Sequence, residues 1–237
     1  MYAEDWAAWH QAHERRRARP HGLLAATGLH WLTADWQSFD DVPGEWRDGP
    51  DGVSVRSGQG ERHLGHVDED GVELMFGDVM AEVTRRGTDV ILRPRDPRNP
   101  VRLAYQGTPA FPPDEKWIVA GRFVEDRREI TVGTVVDGLK LDDSQLGRVD
   151  FTVDGRPLSL TVFSGFEIVF RDATSGVTTY GASRTLRIDP PAADGTVVID
   201  FNRATNLPCA YTEFATCSLP PPENVLPIAV AAGEKAP

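Results

Sequence analysis

The sequence of 237 residues contains only two cysteines and three lysines, and acidic residues outnumber basic ones. The net charge of −11 at pH 7 argues against nucleic acid or an anionic membrane as a partner, because both require basic surface. No apolar run reaches the roughly 18 residues that span a bilayer, and the first residues lack the pattern of a signal peptide. We therefore expect a cytoplasmic protein with no membrane or nucleic-acid partner and with reduced thiols.

Several motifs that identify cofactor sites and hydrolases are also missing. The chain has no Gly-x-Gly-x-x-Gly, no Walker loop and no Gly-x-Ser-x-Gly. His63 and His66 are three residues apart and would face opposite sides of a strand, so they do not form a metal motif. The sequence predicts no metal and no cofactor, and it leaves the oligomeric state open.

Aromatic residues recur near the N-terminus at spacings of four, three and four, from Tyr2 to His13. This stripe predicts a helix from Tyr2 to Arg19, because such spacings place side chains on one helical face. Acidic residues early and arginines late suit the helix dipole, and Pro20 ends the pattern. We expect residues 1–20 to form a helix that packs on the body of the protein.

The pattern of the remaining residues predicts short strands separated by glycine-containing turns. The clearest hairpin turn is Asp154-Gly155, because apolar residues alternate on both sides of it. The expected strands include Val53–Arg56, Val72–Phe76, Val79–Thr84, Val90–Arg93, Trp117–Glu125, Ile130–Val136 and Leu146–Thr152. This spacing predicts a mostly β fold, an antiparallel sandwich or barrel-like pair of sheets with one N-terminal helix. Residues 21–237 are expected to form one β domain, with an internal seam near residues 95–116, where prolines exclude central strands.

The run DFNRATNLPCAYTEFATCSLPPPENVLPIAVAAGEK, residues 200–235, holds both cysteines. It resembles the tail of the DUF1684 family of uncharacterised bacterial proteins. Members of that family carry a similar Asp-Phe-Asn … Cys-Ala-Tyr … Ala-Thr-Cys … Leu-Pro-Pro … Glu-Asn … Ala-Gly-Glu pattern. Two further segments of the family read roughly Asp-x-Thr … Thr-Tyr … Gly-Arg and Asp-Phe-Asn-x-Ala-Tyr-Asn. This chain departs from the first at Ser183, where glycine is usual, and from the second at Thr205, where tyrosine is usual. The resemblance implies a family but no reaction, because the family has no assigned activity.

Polar residues follow apolar strands in two segments and form a candidate ligand site. An arginine there would hold an anion while amide and hydroxyl groups orient it. The candidate ligand-binding residues are Asp172, Thr179, Tyr180, Arg184, Asn202, Arg203 and Asn206. The alternative is a buried polar network in which Asp172 pairs with Arg184 or Arg203 and the C-terminal tail is locked. Two functions follow: a domain, enzymatic or not, that binds a small polar or anionic molecule, or a non-catalytic structural or interaction protein.

Cys209 and Cys217 are the candidate catalytic residues of a third function, a thiol-dependent hydrolase. Such a nucleophile needs a base close by, usually histidine. All six histidines lie at or before His66, so a Cys–His pair would have to join the two ends of the chain. Three other interpretations of the two thiols stay open: burial as small apolar side chains, a disulfide, and a metal site.

Overall fold

The computed structural model describes residues 1–58 and 60–237. Helix α1 spans Tyr2–Arg17 and ends two residues before the predicted end at Arg19. Its first turn is acidic and its last turn holds three arginines, which complements the helix dipole. None of its residues is fully buried, so its aromatic face is only partly covered. Within the described ranges, no helix has the length and apolar character needed to cross a membrane.

The chain divides into two compact units. The first comprises Met1–Glu14, Gly107–Ala210 and Cys217–Pro237, and the second comprises Arg15–Gln106 and Tyr211–Thr216. Along the chain, the second unit is followed by the main part of the first unit after Gln106.

The second unit contains two four-stranded antiparallel sheets. Their strands are β1 (His30–Trp31), β2 (Gln37–Phe39), β3 (Val42–Gly49), β4 (Gly52–Ser57), β5 (Gly60–Gly65), β6 (Val72–Phe76), β7 (Val79–Arg86) and β8 (Asp89–Arg95). The strand orders are β1-β8-β7-β6 and β2-β3-β4-β5. Apolar side chains of both sheets form one core, which includes the fully buried Trp46. The two sheets therefore pack as a sandwich, since each has one apolar face to bury.

A short helix that the sequence analysis did not predict, α2, spans Pro100–Ala104. The side chain of Asn99 caps it by accepting a hydrogen bond from the backbone N–H of Val101 (2.9 Å). Proline follows the cap at the first helical position, where its missing N–H costs no hydrogen bond. An asparagine cap followed by proline is a helix-start signal that could have identified α2.

The first unit contains one seven-stranded antiparallel sheet. Its strands are β9 (Ile118–Gly133), β10 (Lys140–Val153), β11 (Arg156–Phe163), β12 (Glu167–Phe170), β13 (Arg184–Arg187), β14 (Thr196–Asp200) and β15 (Thr205–Asn206). Their order is β14-β9-β10-β11-β12-β13-β15. The C-terminal tail contributes Leu226, Val230 and Ala232 to the core of this unit. The predicted fold class is confirmed: the protein is mostly β, its sheets are antiparallel, and it has an N-terminal helix. None of the sheets closes into a barrel in the described parts of the chain.

Strand β9 is longer than the sequence predicts, because Trp117–Glu125 and Ile130–Val136 were expected to be separate strands. The charged residues 126–129 between them are all exposed. They nevertheless stay in the strand because β10 pairs with β9 as far as Lys140, opposite Gly133. The register shifts between Gln145 and Gly147 of β10, where two residues of β9, Asp126 and Arg127, lie opposite one residue of β10 and form a bulge.

Candidate functional site

Arg184 begins strand β13 and is almost completely buried, with 1% of its side chain exposed. Its Nη2 lies 2.5 Å from Oδ2 of Asp172, whose side chain is fully buried. The second carboxylate oxygen of Asp172 accepts hydrogen bonds from the backbone N–H (2.6 Å) and the hydroxyl (2.5 Å) of Thr174. Burial lowers the pKa of Arg184, whereas the adjacent Asp172 carboxylate acts in the opposite direction and favours the charged form. The two residues form a buried, hydrogen-bonded ion pair.

The same guanidinium holds the C-terminal tail. Arg184 donates hydrogen bonds to the backbone carbonyl oxygens of Val230 (3.0 Å), Ala232 and Glu234 (3.3 Å). These carbonyls alternate along the tail, so one side chain fixes three positions of an otherwise irregular segment. The contacts of Arg184 are those of a buried polar network, and its role as a ligand-binding residue stays a prediction.

Thr179 and Asn206 belong to the same buried region. The hydroxyl of Thr179 shares a hydrogen bond with that of Thr174 (2.9 Å). The side-chain amide of Asn206 donates to the carbonyl oxygen of Lys235 (2.7 Å), and its backbone N–H donates to Oε2 of Glu234 (2.6 Å). Asn206 therefore fixes both the backbone of the tail and the carboxylate of Glu234.

Asn202 and Arg203 have different partners from Arg184. The side chain of Asn202 accepts from the backbone N–H of Asp114 and donates to its carbonyl oxygen, both at 3.0 Å. Arg203 forms an ion pair with Asp200 (Nε–Oδ2 3.1 Å), and its guanidinium lies 5.4 Å from the ring centre of Trp9. The predicted ligand residues thus divide into one group at the tail and another beside helix α1.

Tyr180 lies with the two candidate catalytic cysteines. Its hydroxyl donates to the carbonyl oxygen of Cys209 (2.8 Å), and the backbone N–H of Cys209 contacts Sγ of Cys217 at 3.4 Å. Both cysteines are partly exposed free thiols. Hydrogen bonding by Cys217, and less strongly by Tyr180, lowers the pKa of Cys209 to about 7.

A cluster of side chains that could hold a metal ion lies where α1 meets the tail, and the sequence analysis did not identify it. One donor atom each from His10, Glu14 and Glu234 lies within 4.8 Å of the others. Nε2 of His10 is 3.8 Å from Oε1 of both glutamates. Nε2 of His13 is 3.9 Å from Oε1 of Glu234. Imidazole nitrogens and carboxylate oxygens therefore converge on one small volume.

The two carboxylates of this cluster are held in the same way. Oε2 of Glu14 accepts a hydrogen bond from the backbone N–H of Thr108 (3.1 Å), as Oε2 of Glu234 does from Asn206. Each glutamate therefore directs its other oxygen, Oε1, towards His10. The imidazole of His10 is oriented by Trp6, whose ring stacks on it at 4.9 Å with an interplanar angle of 7°. Backbone and aromatic contacts thus set the direction of every donor atom.

Two of the three residues in this cluster are related by a sequence pattern. His10 and Glu14 are four residues apart in a predicted helix, a spacing that places two side chains side by side. Glu234 lies at the other end of the chain, and no local pattern connects it with the helix. The pair that the sequence analysis did consider, His63 and His66, is exposed in the second unit.

A substitution at Gly233 would show how closely the tail packs against Ala204 next to Glu234. Its φ of +73° is unfavourable for other residues, and an added Cβ would collide with the carbonyl oxygen of Ala204. We expect Gly233→Ala to lower the free energy of unfolding by about 2–4 kcal/mol, since the strained backbone and the collision add. Gly138→Ala is the control, because Gly138 has a similar φ of +77° with open space around it.

The control should lose only about 1–2 kcal/mol, the cost of a left-handed conformation. Urea unfolding of both variants measures the difference. Equal losses would show that the contact between the tail and Ala204 is not tight.

The geometry defines a mostly antiparallel β protein in which a buried arginine network supports a histidine and carboxylate cluster. The chain belongs to the DUF1684 family, described as a protein of unknown function, whose model matches residues 103–235, more than half of the chain. The matched region includes Arg184, both cysteines and Glu234, but not His10 or Glu14.

Among solved structures, the chain is similar to an uncharacterized protein of Haloarcula marismortui determined by solution NMR. The two are 29% identical, the match covers 56% of this chain and 78% of that chain, and the TM-score is 0.47. A comparison with proteins of curated function finds no match. The family model establishes the family and assigns no activity.

Proposed function

We propose that the protein binds a divalent first-row transition-metal ion through His10, Glu14 and Glu234, with His13 available as a further ligand. The observation that carries the proposal is the convergence of three donor atoms within 4.8 Å. Both carboxylates are already fixed by backbone amides on their other oxygens. Mixed imidazole and carboxylate donors suit Zn²⁺, Fe²⁺ or Mn²⁺ better than the all-oxygen sites of Ca²⁺.

The distances between the candidate ligand atoms of His10, Glu14 and Glu234 are compatible with metal binding. Ligands about 2.1 Å from a tetrahedral Zn²⁺ lie roughly 3.4 Å from one another. The distances from His10 to the glutamates are 3.8 Å, so small side-chain rotations suffice to close the site. The side chains of His10 and Glu14 are 18% and 16% exposed, which gives an ion a path from solvent.

A metal at this position would also account for the ligand class expected from the sequence. Three protein ligands leave at least one coordination position for water or another molecule. A small polar or anionic molecule is the chemical class that such an open position takes, because the ion supplies the positive charge. In this proposal the anion binds to the metal, and Arg184 does not contact it.

The Arg184 network then has a supporting role. Arg184 holds the carbonyl oxygens of Val230, Ala232 and Glu234, and Asn206 holds the Glu234 carboxylate. Metal ligands are commonly oriented by hydrogen bonds of this kind, and the loss of one lowers metal affinity by about 10–100-fold. The buried ion pair and the metal cluster are parts of one arrangement.

Metal binding is tested by titrating chelator-treated full-length protein separately with Zn²⁺, Mn²⁺ and Co²⁺, using calorimetry and thermal unfolding. We expect one ion per chain and a rise in melting temperature, since a ligand at 100 times its Kd adds about 2.7 kcal/mol to stability. Glu234→Gln and His10→Asn should each lower affinity at least about tenfold. His66→Ala, which alters an exposed histidine of the second unit, is the matched control and should bind as wild type does.

The same titration distinguishes a metal site from a cluster that is held together by charge alone. A protonated His10 bridging two carboxylates would stabilise the fold without any metal. In that case His10→Asn would lower the melting temperature in chelator, and no ion would raise that of the wild type. That pair of results, or variants that bind ions as tightly as wild type, would overturn the metal-site proposal.

We also propose a bacterial, cytoplasmic protein. Both cysteines are free thiols in the structure, and the cytoplasm maintains thiols in that form. The thiol-hydrolase alternative has less support, because the groups that hydrogen-bond Cys209 are Cys217 and Tyr180. Neither is the imidazole base that such an enzyme usually employs.

A further inference from the structure

Cys209 and Cys217 lie side by side although eight residues separate them. Cys209 sits in a short 3₁₀ turn, Pro208–Ala210, and its backbone N–H points at Sγ of Cys217 from 3.4 Å. This contact brings the two cysteines next to each other in the first unit. Both residues are partly exposed. Adjacent, accessible sulfur atoms are the geometric requirement for exchange between thiols and a disulfide.

The surroundings of Cys209 favour its thiolate form at neutral pH. The Cys217 thiol and the Tyr180 hydroxyl lower the pKa of Cys209 to about 7, against the effect of its burial. A free cysteine has a pKa near 8.5, and only the thiolate attacks a disulfide. The lowered pKa of Cys209 increases its thiolate fraction at pH 7, and the thiolate is the form that attacks a disulfide.

We propose that Cys209 and Cys217 form a reversible redox pair whose oxidant is a low-molecular-weight disulfide. The Cys209 thiolate attacks one sulfur of the small disulfide, forming a mixed disulfide and releasing the other half as a thiolate. The Cys217 thiolate then attacks the Cys209 sulfur, which forms the protein disulfide and releases the second small thiol. Each cysteine loses one electron, and the small disulfide gains two electrons and two protons.

The position of the pair gives the disulfide a structural consequence. Residues Tyr211–Thr216, between the cysteines, belong to the second unit, whereas both cysteines belong to the first. Within the second unit this segment is held by Arg93, which donates from Nε to the carbonyl oxygen of Phe214 (2.8 Å). Oxidation would therefore restrain both ends of a segment whose middle is already anchored.

The pair is tested by equilibrating the full-length protein in buffers of graded reduced and oxidised glutathione, followed by thiol counting on the denatured chain. We expect two thiols per chain in reducing buffer and none in oxidising buffer, with a monomer on a non-reducing gel and a mass lower by about 2 Da. Cys217→Ser should instead accumulate a glutathione adduct on Cys209, because the resolving thiol is missing. Two thiols that persist in the most oxidising buffer, or disulfides only between chains, would overturn the proposal.

The rate of alkylation of Cys209 in Cys217→Ser and wild type checks the assignment of the attacking thiol. In wild type, the rate should rise with pH through a midpoint near 7. The midpoint should move to higher pH in Tyr180→Phe, which lacks the hydroxyl, and in Cys217→Ser if the serine hydroxyl is the poorer donor. Tyr105→Phe removes a hydroxyl from the second unit and is the control, with no expected change. A wild-type midpoint near 8.5 or above would contradict the assignment of Cys209 as the attacking residue.

Discussion

Replacing Arg184 with methionine is expected to lower the free energy of unfolding by about 3–5 kcal/mol, because it leaves the buried carboxylate of Asp172 without its cation. Methionine retains much of the apolar volume, so the loss reports the ion pair and the hydrogen bonds rather than a cavity. The backbone carbonyl oxygens of Val230 and Ala232 lose their donor at the same time. Denaturant midpoints of the variant and the wild type measure the effect.

The double variant Arg184→Met/Asp172→Asn should recover part of the loss, because the uncompensated charge is removed. Arg203→Met is the matched control. Its ion pair with Asp200 is 40% exposed on the arginine side, and exposed pairs contribute about 0–1 kcal/mol. If Arg184→Met proves as stable as wild type, the network does not hold the tail and a ligand-binding role for Arg184 gains support.

Deleting residues 1–19 is the second change with a large expected effect, early melting and aggregation. In the first unit the deletion removes the hydrogen bond from Tyr2 to Asp200 (2.8 Å) and that from Trp6 to the carbonyl oxygen of Asn202 (2.7 Å). It also exposes apolar surface on the order of 300 Å², since each fully buried aromatic side chain covers about 150–250 Å² and these are only partly buried. At roughly 25 cal/mol per Å², the loss is several kcal/mol, comparable with the whole stability of a domain.

Point variants show whether the aromatic face of α1 accounts for the loss of stability caused by the deletion. Trp6→Ala should reproduce a substantial part of the loss in melting temperature, because it removes both the buried ring area and the hydrogen bond to Asn202. Gln11→Ala is the control, since Gln11 is exposed on the same helix and should change stability by less than about 0.5 kcal/mol. Unchanged melting and solubility of the truncated protein would refute the covering role of α1.

The local elements of this protein are determined by patterns that lie within a few residues of each other. The aromatic stripe predicts α1, because helical spacing is independent of the rest of the chain. The Asp154-Gly155 turn predicts its hairpin, in which Phe151 is opposite Leu158 and Val153 is opposite Arg156. Asp154 and Gly155 both have positive φ, as this type of tight turn requires. The mostly β class follows from such turns repeated along the sequence.

The length of β9 is determined by its pairing with the neighbouring strand β10. The charged residues 126–129 contain no strand signal, yet they remain in β9 because β10 pairs with β9 on both sides of them. A backbone can satisfy its polar groups in a ladder even where its side chains are solvated. Sequence periodicity records side-chain burial, so it cannot detect a strand whose two faces are both exposed.

The candidate site was decided by long-range contacts. The sequence contains several aspartates that could pair with Arg184, and only the fold selects Asp172 and leaves Asp200 to Arg203. The helix places His10 beside Glu14 by its own geometry. The third donor, Glu234, reaches them only because the Arg184 network fixes the tail. A site made from both ends of a chain has no local pattern, since its spacing is set by packing in three dimensions.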